Sequence, residues 1–118
     1  MDFAHKIILC IVNEGFSETV MSAARNAGAS GGTILRAHGT ANPQAEKLFN
    51  ITIQPEKELI LIVVPSAICD SVLHAIYKET GPGTPCQGIA FALPVDEAVG
   101  IKTYEPRQEA KESTETKG

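Results

Sequence analysis

The chain has 118 residues and a net charge of −4, with 43% hydrophobic and 20% charged residues. This length and composition suit one globular domain whose core needs no disulfide or metal. The acidic balance argues against nucleic-acid binding, because phosphate contacts need a basic face. No apolar run is long enough to cross a membrane, and the N-terminal segment carries Asp2 and no small-residue cleavage site, so no signal peptide is expected.

The three cysteines, Cys10, Cys69 and Cys86, lack the short spacing typical of a zinc site. Cys10 lies in an apolar run and Cys69 in a predicted helix, so both are expected to be reduced and buried. Cys86 lies in a loop rich in glycine and proline and is expected to be the exposed thiol. This use of cysteine indicates a reducing compartment, so we expect a cytoplasmic protein.

The first predicted elements are a strand, a helix and a second strand. Residues 6–12 form a short run rich in β-branched side chains that predicts a strand. Ser17 is expected to cap a helix that Gly28 ends, with apolar residues at helical spacing between them. A glycine pair then turns the chain into a strand over residues 33–38.

The middle of the chain predicts a long polar loop followed by strands. Residues 39–50 contain glycine, asparagine and proline, and a loop of this length is usually functional or mobile in a compact domain. A short strand over 51–53 and a turn over 54–57 follow. Residues 58–64 give the strongest strand pattern in the sequence.

The last third predicts a helix, a loop, a strand and a tail. The helix opens at Pro65 and Ser66 and closes at Gly81. A glycine- and proline-rich loop over 81–88 leads into a strand over 89–95. Residues 106–118 have mixed charge and no apolar periodicity, so we expect a domain over 1–105 and a disordered C-terminal tail.

This β-α-β-β-α-β order predicts an α+β, ferredoxin-like fold: one antiparallel sheet with both helices on one face. The runs 7–12 and 59–64 do not alternate apolar with polar residues, so the sheet face opposite the helices must also be covered. A second copy of the sheet would cover it in an oligomer. The alternative is that the strand over 51–53 or the tail folds over that face.

Catalytic and metal sites are not expected from the sequence. It contains no nucleophile elbow, no evident Cys–His pair and no His-Glu-x-x-His motif. His38 ends a predicted strand and is a candidate either for ligand contact or for a solvated strand end. His74 is expected on a helix surface. A small ferredoxin-like enzyme or metal carrier would need a convergent cluster that the sequence does not show.

Three glycine-rich turns are candidates for binding an anion, because glycine lets backbone N–H groups approach a ligand closely. They cover residues 28–33, 38–40 and 81–88. None matches a P-loop or a dinucleotide fingerprint, and each alone is also what an ordinary turn contains. They become a site if they converge between subunits.

Three segments resemble the PII signalling proteins. Gly88 to Thr103 resembles that family's last strand and exit, whose pattern includes Pro-Val-Glu-Glu-Ala-Val where this chain has Pro-Val-Asp-Glu-Ala-Val at 94–99. Residues 27–33 resemble its Ala-Gly-x-x-Gly-x-Thr turn, and residues 60–65 resemble its third strand. The element order agrees over roughly residues 5–104.

The resemblance implies a homotrimer with adenine-nucleotide sites in the clefts between subunits and a partner-binding loop after the second strand, the family's T-loop. Ile11, Gly39, Val63 and Gly88 would line a site from one subunit. Gly31 and Thr33 would line it from the neighbour. Lys102 stands where the family has an arginine near the phosphates, which keeps the charge but loses the bidentate fork.

The chain departs from the family at several charged positions. Ile89 replaces a phosphate-binding lysine, Gly100 replaces an arginine, and the 39–50 loop is short and has no tyrosine to modify. Fewer cations favour ADP, AMP or another less charged ligand over ATP with magnesium. We expect no tightly bound cofactor.

The sequence therefore predicts a PII-like, non-catalytic regulator. It would sense an adenine nucleotide or similar small ligand and act on a membrane transporter or an enzyme through the 39–50 loop. The alternative is a trimeric protein-interaction module whose cleft holds no ligand. The identity of the ligand and of the partner does not follow from the residues.

Overall fold

The computed structural model describes residues 2–40, 44, 47 and 55–101. Four strands span these bounds: β1 His5–Asn13, β2 Thr33–His38, β3 Glu56–Pro65 and β4 Ile89–Pro94. The helices are α1 Ser17–Asn26 and α2 Ser66–Thr80. The order confirms the predicted β-α-β-β-α-β arrangement. The predicted strand over 51–53, most of the 39–50 loop and the tail over 106–118 lie outside the described residues.

The sheet has the strand order β2-β3-β1-β4, and all neighbouring strands are antiparallel. The first strand of the chain is therefore central, with Ile8 opposite Ile62 on one side and Ala92 on the other. Strands β2 and β4 form the two edges. Segments far apart in sequence thus meet on one sheet, which sets where the loops lie.

The helices cover one face of the sheet and form the core with it. Alternate residues of β1 and β3 are buried there, and apolar residues at helical spacing on α1 and α2 pack against them. The strand residues are Ile8, Cys10, Val12, Ile60, Ile62 and Val64; the helix residues include Val20, Met21, Ala24, Cys69, Val72 and Ile76. Two helices on one face is the predicted arrangement.

The opposite face, here called the bare face, is also apolar. The strand register places Ile7, Leu9 and Ile11 of β1 in rows with side chains of the other strands. Those neighbours are Leu35, Leu59, Leu61, Val63, Ile89, Phe91 and Leu93. Several remain exposed, from 37% for Val63 to 58% for Ile89. Neither described helix lies on this face.

The helix ends differ in part from expectation. Ser17 is the first residue of α1 and not its cap; Phe16 holds the cap position without a side-chain hydrogen bond. The Glu58 carboxylate accepts the Ser17 N–H at 3.0 Å in its place. Gly28 follows α1 at φ +113, as a helix-ending glycine should. Gly81 ends α2 in an extended conformation, with φ −71.

Two predictions near the loops were wrong. The turn expected over 54–57 is cut short, because Glu56 and Lys57 already pair with His38 and Ala37 of β2. That pairing outweighs the low strand propensity of a charged run. Cys86 is buried at 3% exposure, not exposed, because its loop folds against the end of α2. Its carbonyl oxygen accepts the Asn13 N–H at 3.0 Å.

Candidate functional site

The candidate ligand residues fall into two groups within one chain. Gly31, Thr33 and Val63 line one cavity, which extends from the middle of β1 toward its start. Ile11, Gly39 and Gly88 lie toward the end of the sheet where β1 finishes. Val63 is opposite Ile7, four positions along β1 from Ile11, so these two residues are roughly 13 Å apart along the strand. Lys102 lies outside the described residues.

The first group lines a cavity of about 670 Å³ beside β2, here called the β2-side cavity. Its wall includes the glycine turn after α1, Thr33, Val63 and His5. Gly31 has nothing within 4 Å of the position where a Cβ would stand, so its surface is open. Ile101 lines the same cavity and immediately precedes Lys102 in sequence. Among its described lining residues there is no lysine or arginine.

Gly88, in the second group, is required by packing. A Cβ there would stand 2.6 Å from the Thr80 carbonyl oxygen and 2.9 Å from Val12 Cγ1. The Gly88 N–H donates to that same Thr80 oxygen at 2.6 Å. This N–H is therefore used within the chain. Close approach of backbone to helix explains a glycine here without any ligand.

An apolar groove of about 260 Å³ runs between α2 and the edge strand β4. Leu73, Ile76 and Tyr77 line it from the helix and Ile89 from the strand. Tyr77 is 65% exposed, and His74 is exposed beside it, as predicted for a helix surface. Ile89, which the sequence resemblance aligns with a lysine, thus adds apolar surface and no charge here.

Asn13, which no sequence motif singles out, forms hydrogen bonds both to the 81–88 loop and to Lys57. Its N–H donates to the Cys86 carbonyl at 3.0 Å, and its Nδ2 donates to the Pro85 carbonyl at 3.0 Å. Its Oδ1 accepts from Lys57 Nζ at 2.8 Å. In the sequence Asn13 directly follows the predicted strand over residues 6–12. The feature that could have identified it is an asparagine at a strand end, because its side chain can both donate and accept hydrogen bonds.

Lys57 was also missed, because it fell in the predicted turn. Its Cε lies 3.6 Å from the position of a Cβ on Gly39. Gly39 in turn donates its N–H to the Pro55 carbonyl at 2.7 Å. This pair, Gly39 and Pro55, joins the two ends of the segment between them and is here called its neck. A cation therefore lies beside the candidate Gly39, at the end of the sheet that also holds the 81–88 loop.

This end of the sheet carries further charges of both signs on its described residues. Arg36 of β2 forms an ion pair with Glu14, and both side chains are largely exposed, so the pair adds little stability. His38 is exposed at the end of β2. The three glycine turns do not converge within one chain: residues 28–33 lie at one end of the sheet, and Gly39 and the 81–88 loop at the other.

Burial favours the neutral form of two thiols, Cys10 and Cys69. Burial, with a smaller contribution from the nearby Cys86 thiol, raises the pKa of Cys10 to about 11. Burial also raises the pKa of Cys69.

The described part of the chain holds no group of three or more histidine, cysteine or acidic side chains placed to bind a metal. None of its helices combines the length and apolar character needed to span a bilayer.

Comparison with known proteins agrees with this fold. The family model described as nitrogen regulatory protein P-II matches residues 5–105. No curated protein matches the chain.

Similar solved structures include the following three. Bacillus subtilis GlnK in complex with ATP superposes with a TM-score of 0.66 at 20% identity, over 89% of this chain and 94% of that one. Arabidopsis thaliana PII bound to citrate gives 0.60 at 24% identity, over 80% and 79%. A Bacillus cereus protein related to NIF3 gives 0.62 at 19% identity; 80% of this chain matches 26% of that one. At these identities the structures show the shared fold.

Proposed function

Because this chain belongs to the nitrogen regulatory protein P-II family, we propose that it is a non-catalytic signalling protein that senses a small ligand and regulates a partner. The ligand is an adenine nucleotide or similar molecule, held in clefts between subunits. The partner is a transporter or an enzyme, contacted through residues 39–50. The observation that carries the proposal is the family match over residues 5–105, which includes every candidate site residue.

The bare face supports a homotrimer. Ten large apolar side chains of four strands line this face in register, as described above. Leaving so much contiguous apolar surface in water is unfavourable, and monomers rarely do so. Packing against two further copies would bury this face without any additional helix or strand.

The two groups of site residues support a ligand site between copies. In one chain, Gly31 and Thr33 lie at the β2 edge of the sheet, and Gly88 lies at the β4 edge, near the finish of β1. Apposition of the β2 edge of one copy with the β4 edge of the next would bring the groups together. Lys102, following Ile101 at the β2-side cavity, is the proposed cation for the ligand's phosphates.

The supply of cations bears on which nucleotide binds. The β2-side cavity has no lysine or arginine among its described lining residues, and Ile89 is apolar. Each missing charge-assisted contact would weaken a triphosphate more than a monophosphate. GlnK of B. subtilis was solved with ATP and A. thaliana PII with citrate, both anions. We propose ADP or AMP here ahead of ATP with magnesium.

A thermal-shift screen over ATP, ADP, AMP, cyclic nucleotides and bicarbonate tests the proposal. A mass measurement run beside it reports the oligomeric state. A nucleotide at 100 times its dissociation constant stabilises by about 2.7 kcal/mol, which raises the melting temperature by roughly 10 °C for a domain of this size. Lys102→Ala is expected to remove the shift and leave the trimer mass unchanged. Absence of a shift with every adenine nucleotide would contradict ligand sensing.

The second candidate is a trimeric interaction module whose cleft holds no ligand. The use of the Gly88 N–H by Thr80 within the chain favours it, because one potential phosphate donor is already satisfied. This module would form the trimer, show no nucleotide shift, and tolerate Lys102→Ala without change. The same screen therefore separates the two.

A further inference from the structure

We propose that Asn13 is a positioning residue that couples the 81–88 loop to the neck of the segment between Gly39 and Pro55. Its carboxamide would transmit a change in either loop to the other. The coupling is a property of this chain's own contacts. Its use in signalling rests on the proposed function, in which one loop meets ligand and the segment beyond Gly39 meets the partner.

The carboxamide of Asn13 is satisfied at both ends. Lys57 Nζ can only donate, so Oδ1 must face it, and the 2.8 Å contact has that sense. The Pro85 carbonyl can only accept, so Nδ2 must face it, as it does at 3.0 Å. The two partners fix the orientation of the amide. Lys57 and Asn13 are also directly opposed in the β1–β3 register.

On one side, Asn13 holds the neck. Lys57 lies two residues after Pro55, whose carbonyl oxygen accepts the Gly39 N–H at 2.7 Å. The Lys57 stem lies 3.6 Å from where a Gly39 Cβ would stand. Glu14, next to Asn13, donates its N–H to the Glu56 carbonyl at 3.1 Å. The neck is therefore tied to the end of β1 by backbone and side chain together.

On the other side, Asn13 holds a loop that is internally braced. Thr84 Oγ1 donates to the Gly81 carbonyl at 2.8 Å and accepts the Cys86 N–H at 3.2 Å. Asn13 contacts the two residues that follow Thr84, through the carbonyls of Pro85 and Cys86. Displacement of this braced loop would move the acceptor of Nδ2. The amide, and with it Lys57, would have to reorient.

Coupling is measured without any ligand by a double-mutant cycle. Thr84→Val removes the hydroxyl brace at nearly constant shape, and Asn13→Ala removes the amide. Hydrogen exchange of the Gly39 N–H is followed by NMR in the four full-length proteins, with the Ile62 N–H as a measure of global opening. We expect Thr84→Val to speed Gly39 exchange about fivefold in the wild-type background, the equivalent of one hydrogen bond, and to have no effect when Asn13 is alanine.

Asn13→Asp provides a second variant that keeps the Lys57 contact but cannot donate to Pro85. It is expected to abolish the Thr84→Val effect as alanine does. Asn26→Ala, at the exposed end of α1, is the matched control and should leave the full effect. An effect of Thr84→Val that persists in both Asn13 variants would overturn the proposal, as would no effect in wild type. Because no nucleotide is added, this result is independent of the nucleotide screen.

Discussion

The two faces of the sheet contain similar residues but have different neighbours. Ile8, Ile62 and Val64 are fully buried under the helices, whereas Leu93 and Phe91, on the bare face, remain 45% and 42% exposed. The pattern of apolar residues along β1 and β3 therefore indicates that both faces are buried. It does not indicate what covers each face. One face is completed by the chain itself and the other, in our proposal, by further copies.

The largest expected effect is on assembly. Leu9 lies between Leu61 and Phe91 in the middle of the bare face. Leu9→Asp would bury a carboxylate without a partner in any packed interface, so we expect the native mass to fall to that of one chain, with folding retained. Native mass spectrometry and circular dichroism measure the two properties.

Ser71→Asp is the matched control, because Ser71 is exposed on α2 and carries no interface in the proposed assembly. It should leave the native mass unchanged. A Leu9→Asp protein that keeps the mass of the wild type would show that the bare face is not an interface.

The next effect compares adjacent residues of β3 that point to opposite faces. Ile62 is fully buried and Leu61 only partly so. In the Leu9→Asp background, Ile62→Ala should lower the free energy of unfolding by about 3 kcal/mol through lost burial and a cavity. Leu61→Ala should cost about 1 kcal/mol or less, because its surroundings are open. Equal losses in urea denaturation would mean that the bare face is covered within the chain.

The helix-covered face should also make stability depend on pH. Burial raises the pKa of the Cys10 thiol from its ordinary value of 9.0 to about 11. The folded state holds this proton more tightly, so the contribution is complete below pH 9 and is lost as pH rises toward 11. The loss approaches about 2 to 3 kcal/mol. Cys10→Ala should flatten the fall in unfolding free energy between pH 8.5 and 10.5, and an unchanged slope would contradict the assignment.

The smallest expected effect compares two glycines of the candidate site. Gly88→Ala would force a Cβ to 2.6 Å from the Thr80 carbonyl oxygen, so we expect a loss of about 2 kcal/mol. Gly31→Ala meets nothing within 4 Å and should be close to neutral. Thermal melts of both variants measure the difference. A neutral Gly88→Ala would indicate that the 81–88 loop moves away from α2 easily.

The order and type of the elements followed from sequence because strong local patterns agreed with one another. The β-branched runs that form β1 and β3, and the helical spacing of Val72 and Ile76, each indicate one structure. The turn over 54–57 was wrong because pairing with β2 is a long-range contact that a local pattern does not contain. Cys86 was wrong for a related reason: a loop composition predicts exposure, but Asn13 and Thr84 hold this loop against the core.

The candidate site was less predictable than the fold. Gly31, Thr33 and Val63 meet at one cavity, as a glycine turn that leads into an edge strand allows. Asn13 and Lys57 escaped notice because neither belongs to a motif, and their importance depends on a contact across 44 positions of sequence. The role of Gly88 is ambiguous from sequence alone, since the same residue serves a close packing contact and an anion-binding turn.

The capping of α1 by Glu58 has a consequence for folding. The acceptor for the Ser17 N–H lies 41 positions further along the chain, on the strand that pairs with β1. The first turn of α1 therefore gains this acceptor only after a long loop has closed, which is an entropically costly and slow event. The first turn of α1 is therefore fully stabilised only after β3 has paired with β1.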